Sequence, residues 1–178
     1  SRTYKGIGYL MYTGFTQDSE GKWNYEGEDF VDSVFNVSVS NGLIKDGEIV
    51  VDFGNVNTNF SISQQNLISL EGCPDRCLSF NVSNNLLEAI NHLPICESYD
   101  FSNNNIKVNL KNFPEKVETL NLSNNKLSSF EGFPTETSNL DISHNRFKSL
   151  KKCPDVKFCL DVSSNIIDNL KGLENKRI

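Results

Sequence analysis

The sequence predicts a solenoid, in which short similar coils stack and carry a parallel β-sheet on the concave face, with mostly irregular or 3-10 structure on the convex side. Prolines recur every twenty residues, at Pro74, Pro94, Pro114, Pro134 and Pro154. Between them, apolar residues follow the order LxxLxLxxNxL, so each unit supplies one strand whose apolar side the next unit must cover. Residues 1 to 55 lack this repeat and hold nine of the eighteen aromatic residues, which predicts a separate β-rich cap.

The N-terminal region, residues 1–55, comes first. YKGIGYLMYTGF and VFNVSVSN alternate as strands do, DSEGKWNY carries a turn signal between strands, and EIVVDF predicts a last strand before the repeats. A solenoid needs such a cap to cover its apolar end. Trp23 and Tyr25, beside the acidic run EGEDF, are also candidate partner contacts at the N-terminal rim.

The repeat array is assigned to residues 56–178, about six units. The first copy is divergent and uses Phe60, Ile62, Gln65 and Leu67. After Pro94 the unit is one residue short before its asparagine and one residue long after it, which predicts a bulged loop. An asparagine follows each later strand, and its amide is expected to bond backbone groups of neighbouring coils in a structural ladder. The ladder residues are Asn85, Asn104, Asn125, Asn145 and Asn165.

This pattern resembles the α/β-type leucine-rich repeat. The twenty-residue unit with proline after its last apolar position, as in SSFEGFP and KSLKKCP, is similar to the short bacterial-type repeats of secreted effector proteins. The stretch DGEIVVDFGNVNTNFSISQQNLISLEGCP followed by FNVSNN looks closer to small leucine-rich-repeat proteins of tailed bacteriophages. The resemblance implies a binding protein, and fold alone does not specify what it binds.

Partner-binding residues are expected where strand side chains point away from the core. Two columns of such positions are polar and small, with serine in all six copies of the column between them. The face lacks the aromatic and arginine anchors of most protein interfaces, which makes it a poor hot-spot surface. A basic loop or peptide could still bind there through hydrogen bonds and charge, whereas we favour the uniform serine column as a small residue that fits a tightly curved sheet. The candidates are Asn81, Asp100, Asn121, Asp141, Asp161, Asn84, Asn103, Asn124 and His144.

Charged clusters add two alternatives to this face. A basic patch is formed by Arg146, Lys148, Lys151 and Lys152. We interpret it as a solvated convex surface, or alternatively as a contact for an acidic partner. Asp141 and Asp161 occupy equivalent positions on adjacent strands, where two carboxylates could raise one pKa, hold a cation or act as a glycosidase pair. An open face excludes little water, so we favour the solvated, non-catalytic interpretation.

No nucleotide-binding, hydrolase or metalloprotease motif occurs, so we expect no enzyme activity, no catalytic residues, no cofactor and no metal. The net charge of −6 argues against nucleic acid as a partner. No apolar run is long enough for a membrane span. Four of the five cysteines are interpreted as core residues, and Cys159 as an accessible thiol in a reducing compartment.

The function predicted from the sequence is therefore a non-catalytic protein-protein interaction module. By the bacteriophage resemblance, it binds and inhibits a host bacterial protein, such as a defence or nucleic-acid-processing enzyme, in the cytoplasm of the infected cell. The alternative is a secreted bacterial effector or surface adhesin that binds a host target. The final unit stops without a polar capping repeat, which predicts a homodimer through the C-terminal repeats.

Overall fold

A computed structural model describes residues 4–27 and 33–168 of the chain. The elements are short and mostly strands, because each coil turns within about twenty residues. In chain order they are α1 (Ile7–Thr13), β1 (Thr16–Gln17), β2 (Trp23–Tyr25), β3 (Val34–Asn36), a 3-10 turn (Val39–Asn41), β4 (Ile44–Lys45), β5 (Glu48–Ile49), β6 (Phe53–Val56), β7 (Asn59–Ser61), β8 (Ser79–Asn81), β9 (Ala89–Ile90), β10 (Ser98–Asp100), β11 (Val108–Asn109), β12 (Lys116–Asn121), β13 (Glu136–Asp141) and β14 (Asp155–Asp161).

A seven-stranded sheet runs through the described part of the chain in the order β3, β7, β8, β10, β12, β13, β14. All six pairings are parallel, and neighbouring strands come from successive coils. The predicted solenoid with a parallel sheet is thereby confirmed, with one seven-residue α-helix among the described residues. In the described part of the chain β14 pairs on one side only, so the homodimer predicted through the last repeats would use this edge and stays a prediction.

The irregular spacing after Pro94 leaves the sheet intact. Ser98 of β10 aligns with Ser79 on one side and Thr119 on the other, so the spacing is 98 − 79 = 19 residues and then 119 − 98 = 21. β11 forms a second short parallel pair with β9 and keeps the short spacing, 108 − 89 = 19, so the extra residue lies after Asn109. The slip is therefore absorbed in the return segment of the coil, and the strands keep their register.

Aromatic side chains form a continuous row through the core. Phe60 and Phe80 sit at the inward strand positions of neighbouring coils, with ring centroids 6.1 Å apart, and Phe80 contacts Phe101 at 5.9 Å. The row continues to Phe113 through the Phe101 ring at 6.0 Å. Each coil therefore buries its apolar face only by stacking on the next one.

The N-terminal region differs from the sequence prediction at residues 7–13. This segment forms α1, which ends at Gly14 in the left-handed conformation (φ 97°), and is not a strand. Leu10 is the buried residue of the helix, and the Tyr9 ring lies 6.0 Å from Phe35. The apolar residues of this segment therefore belong to a short amphipathic helix. Burial of Leu10 is enough to pack its two turns against the core.

The rest of this region agrees in part with the prediction. VFNVSVSN forms a strand only at β3, and its end turns into the 3-10 segment Val39–Asn41. β1 and β2 form an antiparallel hairpin at DSEGKWNY, and β2 continues in parallel onto β6. EIVVDF contributes β5 and the first residue of β6 instead of one strand. β3 aligns with β7 across the predicted boundary at residue 55, so the sheet does not break there.

Candidate functional site

The open face is defined here as the side of the seven-stranded sheet that points away from the core. Its central column is held by hydrogen bonds to the serine two residues later. In the β10 coil, the Ser102 amide and hydroxyl both donate to Asp100 Oδ1, at 2.9 and 2.6 Å. The same pair of bonds recurs at Asn121, Asp141 and Asp161. Asn81 Oδ1 accepts a bond only from the backbone amide of its serine, Ser83. The serine column thus has a hydrogen-bonding role that the sequence pattern did not reveal, and it fixes one side-chain oxygen of each central-column candidate.

The outer column of candidates has a backbone role as well. Asn84, Asn103, Asn124 and His144 are exposed, and their φ angles lie between 54° and 57°. Asparagine tolerates this left-handed conformation better than most residues, because its short polar side chain can bond locally. The asparagines at these positions are therefore explained by the turn that ends each strand, whether or not a partner contacts them.

The five ladder asparagines lie beneath the open face. Asn125 donates from Nδ2 to Phe101 O of the preceding coil at 3.0 Å and to Leu122 O of its own coil at 3.1 Å, while Oδ1 accepts from Ile106 N at 2.9 Å. Equivalent bonds occur at every other ladder position. At the divergent first repeat Gln65 Oε1 accepts from Val39 N at 3.1 Å. The ladder thus ties each coil to its neighbour directly beneath the open face.

The adjacent carboxylates of Asp141 and Asp161 align across β13 and β14. The Ser163 hydroxyl and then its amide hold the pKa of Asp161 below its ordinary value, with a smaller contribution from the charge of His144. This shift is opposite to the raised pKa that a shared-proton or general-acid role would need at Asp161. The side chain accepts bonds that favour its charged form.

Removing the Ser163 hydroxyl is expected to raise the pKa of Asp161 toward its ordinary value. The lowered pKa in the folded state means that the charged carboxylate favours folding above the unfolded-state pKa of about 3.9, and that this contribution disappears as pH falls through the folded-state pKa. A carboxyl carbon NMR titration of Ser163→Ala measures the shift. Ser149→Ala, which removes a hydroxyl bonded within a distant loop, is the control. An unchanged Asp161 pKa in Ser163→Ala contradicts the assignment.

A charged groove, which the repeat pattern did not predict, lies where strands β12 to β14 begin. These strands have six or seven residues, whereas β7, β8 and β10 have three, so the sheet extends further on this side. The groove has a volume of about 640 Å³. Its charged lining residues are Glu97, Lys116, Glu118, Glu136, Asp155 and Lys157. The charged residues of KVE, ETS and DVK, at the start of three successive strands, could have indicated this groove. The repeat pattern gives no sign of it, because these positions vary from unit to unit.

The other candidates lie away from the open face. Trp23 is 5% exposed and belongs to the core, which corrects its assignment as a rim contact: the β2 to β6 pairing turns its ring inward. Tyr25 is half-buried against Phe15. The basic patch of Arg146, Lys148, Lys151 and Lys152 is exposed on the loops that follow β13.

Within residues 4–27 and 33–168, no group of His, Cys, Asp and Glu side chains is arranged to hold a metal ion. No helix in these ranges has the length and apolar character needed to cross a membrane. Comparison of the chain with protein-family models, with curated proteins and with solved structures gave no match.

Proposed function

We propose that this chain is a non-catalytic protein-interaction module whose open face and charged groove bind another protein. The observation that carries the proposal is the uninterrupted seven-stranded parallel sheet, which presents a wide and rigid surface. Solenoids of this kind commonly act as interaction scaffolds, because stacked coils display one surface residue after another at fixed spacing. The serine bonds and the asparagine ladder hold that surface in place before a partner arrives, which lowers the entropy cost of binding.

The fold type within the solenoids is proposed to be the leucine-rich repeat. The asparagine ladder, one short strand per coil and a polar column after each strand support this assignment. The N-terminal region is proposed to be its cap. Phe15 supports this role, because its ring packs 4.6 Å from Phe35 and 5.7 Å from Phe53 at the end of the aromatic row.

The partner surface is proposed to be basic. Four carboxylates and two ammonium groups line the charged groove. Lys116 Nζ lies 3.0 Å from Glu136 Oε1, and this exposed pair offsets one charge of each sign. Asp100, Asp141 and Asp161 add carboxylates on the adjoining open face. A lysine- or arginine-rich loop is the complement of this surface, and steering by opposite charge would speed its encounter.

The bacteriophage resemblance extends the proposal to the partner's origin. The chain would bind a host bacterial protein in the infected cell and inhibit it. The alternative is a secreted effector or adhesin, which would use the same surface on a different host's protein. Both are binding functions, so one experiment on the charged groove tests what they share.

The test compares two double variants with the same change in charge. Glu97→Lys with Glu118→Lys reverses two charges in the charged groove, whereas Glu71→Lys with Glu131→Lys makes the same reversal in the loops of two equivalent units. The tagged proteins capture partners from a bacterial lysate, and mass spectrometry quantifies them. We expect the wild type and the loop variant to capture the same partner protein, and the groove variant to capture at least ten times less of it. Added salt should release the captured partner, because salt screens the opposite charges. Equal capture by both variants contradicts the proposal.

A further inference from the structure

Two buried cysteines lie side by side on successive coils, next to a groove. The Sγ atoms of Cys77 and Cys96 are 2.9 Å apart, and both residues are free thiols. Sequence analysis treated them as small core residues. Their contact follows from the repeat itself, since both occupy the first apolar position of their unit and successive units stack in register.

The backbone places this pair in a geometry that suits a covalent bridge. Arg76 and Ile95 form a parallel bridge immediately before the two cysteines, and Cys77 N donates to Ile95 O at 3.3 Å. Neighbouring strands are about 4.8 Å apart, which lies within the Cα separation of about 4.4–6.8 Å found in disulfides. Closing the sulfurs from 2.9 Å to a bond of about 2.05 Å needs a movement of roughly 0.9 Å.

Tyr99 holds one side of the pair in place. Its hydroxyl donates to Pro94 O at 2.6 Å and accepts from Cys96 N at 2.9 Å. The Cys96 backbone is thus held by the buried Tyr99 side chain of β10, three residues later in the chain. The sulfurs can approach each other by rotation of the two side chains, without movement of the coils.

A reagent can reach the pair from outside. A groove of about 500 Å³ is lined by both cysteines together with Tyr25, Arg76, Ile95 and Lys116, among others. Cys77 and Cys96 are only 5% and 7% exposed. A small molecule would therefore have to enter this groove to reach the two sulfur atoms.

We propose that Cys77 and Cys96 form a redox-active dithiol that a small disulfide, such as oxidised glutathione, converts into a disulfide between two coils. One cysteine sulfur attacks the small disulfide, forms a mixed disulfide and releases one small thiol. The second cysteine sulfur attacks the mixed disulfide and releases the other small thiol. The two cysteines lose two electrons and two protons in all, and the oxidant is reduced to two thiols. The proposal does not depend on the proposed binding function.

The exchange is expected to be slow at neutral pH. The hydrogen bond with Cys96, followed by burial, raises the pKa of Cys77 well above its ordinary value, so the reactive thiolate is scarce. Cys73 lies nearby and is itself buried, with its pKa raised by burial. Exposed Cys159 would react first, and its mixed disulfide must be kept out of the measurement.

The experiment uses the full chain with Cys159→Ser, incubated with oxidised glutathione under native conditions, then denatured, alkylated and mapped by mass spectrometry. We expect the loss of two hydrogens and a cross-linked peptide pair that joins Cys77 to Cys96. The bridge closes a loop of about twenty residues, so the oxidised protein should melt roughly 5–10 °C higher, and a reductant should reverse the gain.

Three results would overturn the proposal. Complete alkylation of both cysteines after long incubation shows that no bridge forms. A link from Cys73 to either residue shows that the pairing is wrong. A link that forms only in denaturant shows that the folded chain does not place the two sulfur atoms where they can react. Cys96→Ser in the same background should lose both the link and the thermal gain, and the mapping stands without this variant if it fails to fold.

Discussion

Replacing Phe80 with alanine is expected to lower the free energy of unfolding by about 3–5 kcal/mol, the range for large aromatic residues removed from a core. The ring is 1% exposed and lies between Phe60 and Phe101 in the aromatic row. Its loss leaves a cavity between the coils that carry Phe60 and Phe101, and the paired strands on either side limit how far the surrounding rings can collapse. Urea unfolding followed by circular dichroism measures the change.

The matched control is Phe158→Ala. Phe158 is the same residue type on β14, but its side chain is 63% exposed. Removing it should change the free energy of unfolding by no more than about 0.5 kcal/mol, as for most surface substitutions. Similar losses at the two positions would mean that the aromatic row does not support the stack.

Replacing Asn125 with alanine is expected to cost about 3 kcal/mol or more. The side chain makes four hydrogen bonds to backbone groups of three segments, and it is buried. Alanine leaves the buried Ile106 N without its partner, which costs about 1–3 kcal/mol, and removes three further bonds worth about 0.5–1.5 kcal/mol each. The carbonyls of Phe101, Leu122 and Ser123 keep their other bonds, which come from Asn104 Nδ2, Asn145 Nδ2 and Asn103 N. The same unfolding measurement applies, and hydrogen exchange should show faster opening at the Ile106 amide.

The neighbouring residue provides the control. Asn124 is exposed and its φ is 55°, so Asn124→Gly keeps a residue that accepts the left-handed conformation. This variant should stay within about 0.5 kcal/mol of the wild type, because relief of backbone strain offsets the extra freedom of glycine when unfolded. If Asn125→Ala lowers the free energy of unfolding no more than Asn124→Gly does, the asparagine ladder does not stabilise the fold. The stack would then depend on apolar packing alone.

The solenoid could be predicted because its signal is repeated. One unit with Leu120, Leu122 and Asn125 would be ambiguous, but the same spacing in several units fixes strand, core and ladder together. The N-terminal region offers no second copy to compare. There, residues 7–13 alternate as a strand would, and only the packing of Leu10 decides in favour of a helix.

The candidate site was predictable in position but not in detail. The sequence placed Asp100 and Asp141 on the outer side of their strands, and the repeat showed serine two residues later. That the serine hydroxyl bonds the carboxylate depends on the bend after the strand, which no composition pattern reports. The charged groove depends on strands that lengthen only from β12 onward, a property set by packing between coils.

The alignment of β3 with β7 has a consequence for how the molecule can be divided. A cut at residue 55 would remove β3 from the sheet and uncover the side of the Phe60 ring that Phe35 and Phe53 contact. The N-terminal region and the first repeat should therefore unfold together, and a fragment that starts at residue 56 should be less stable than the full chain.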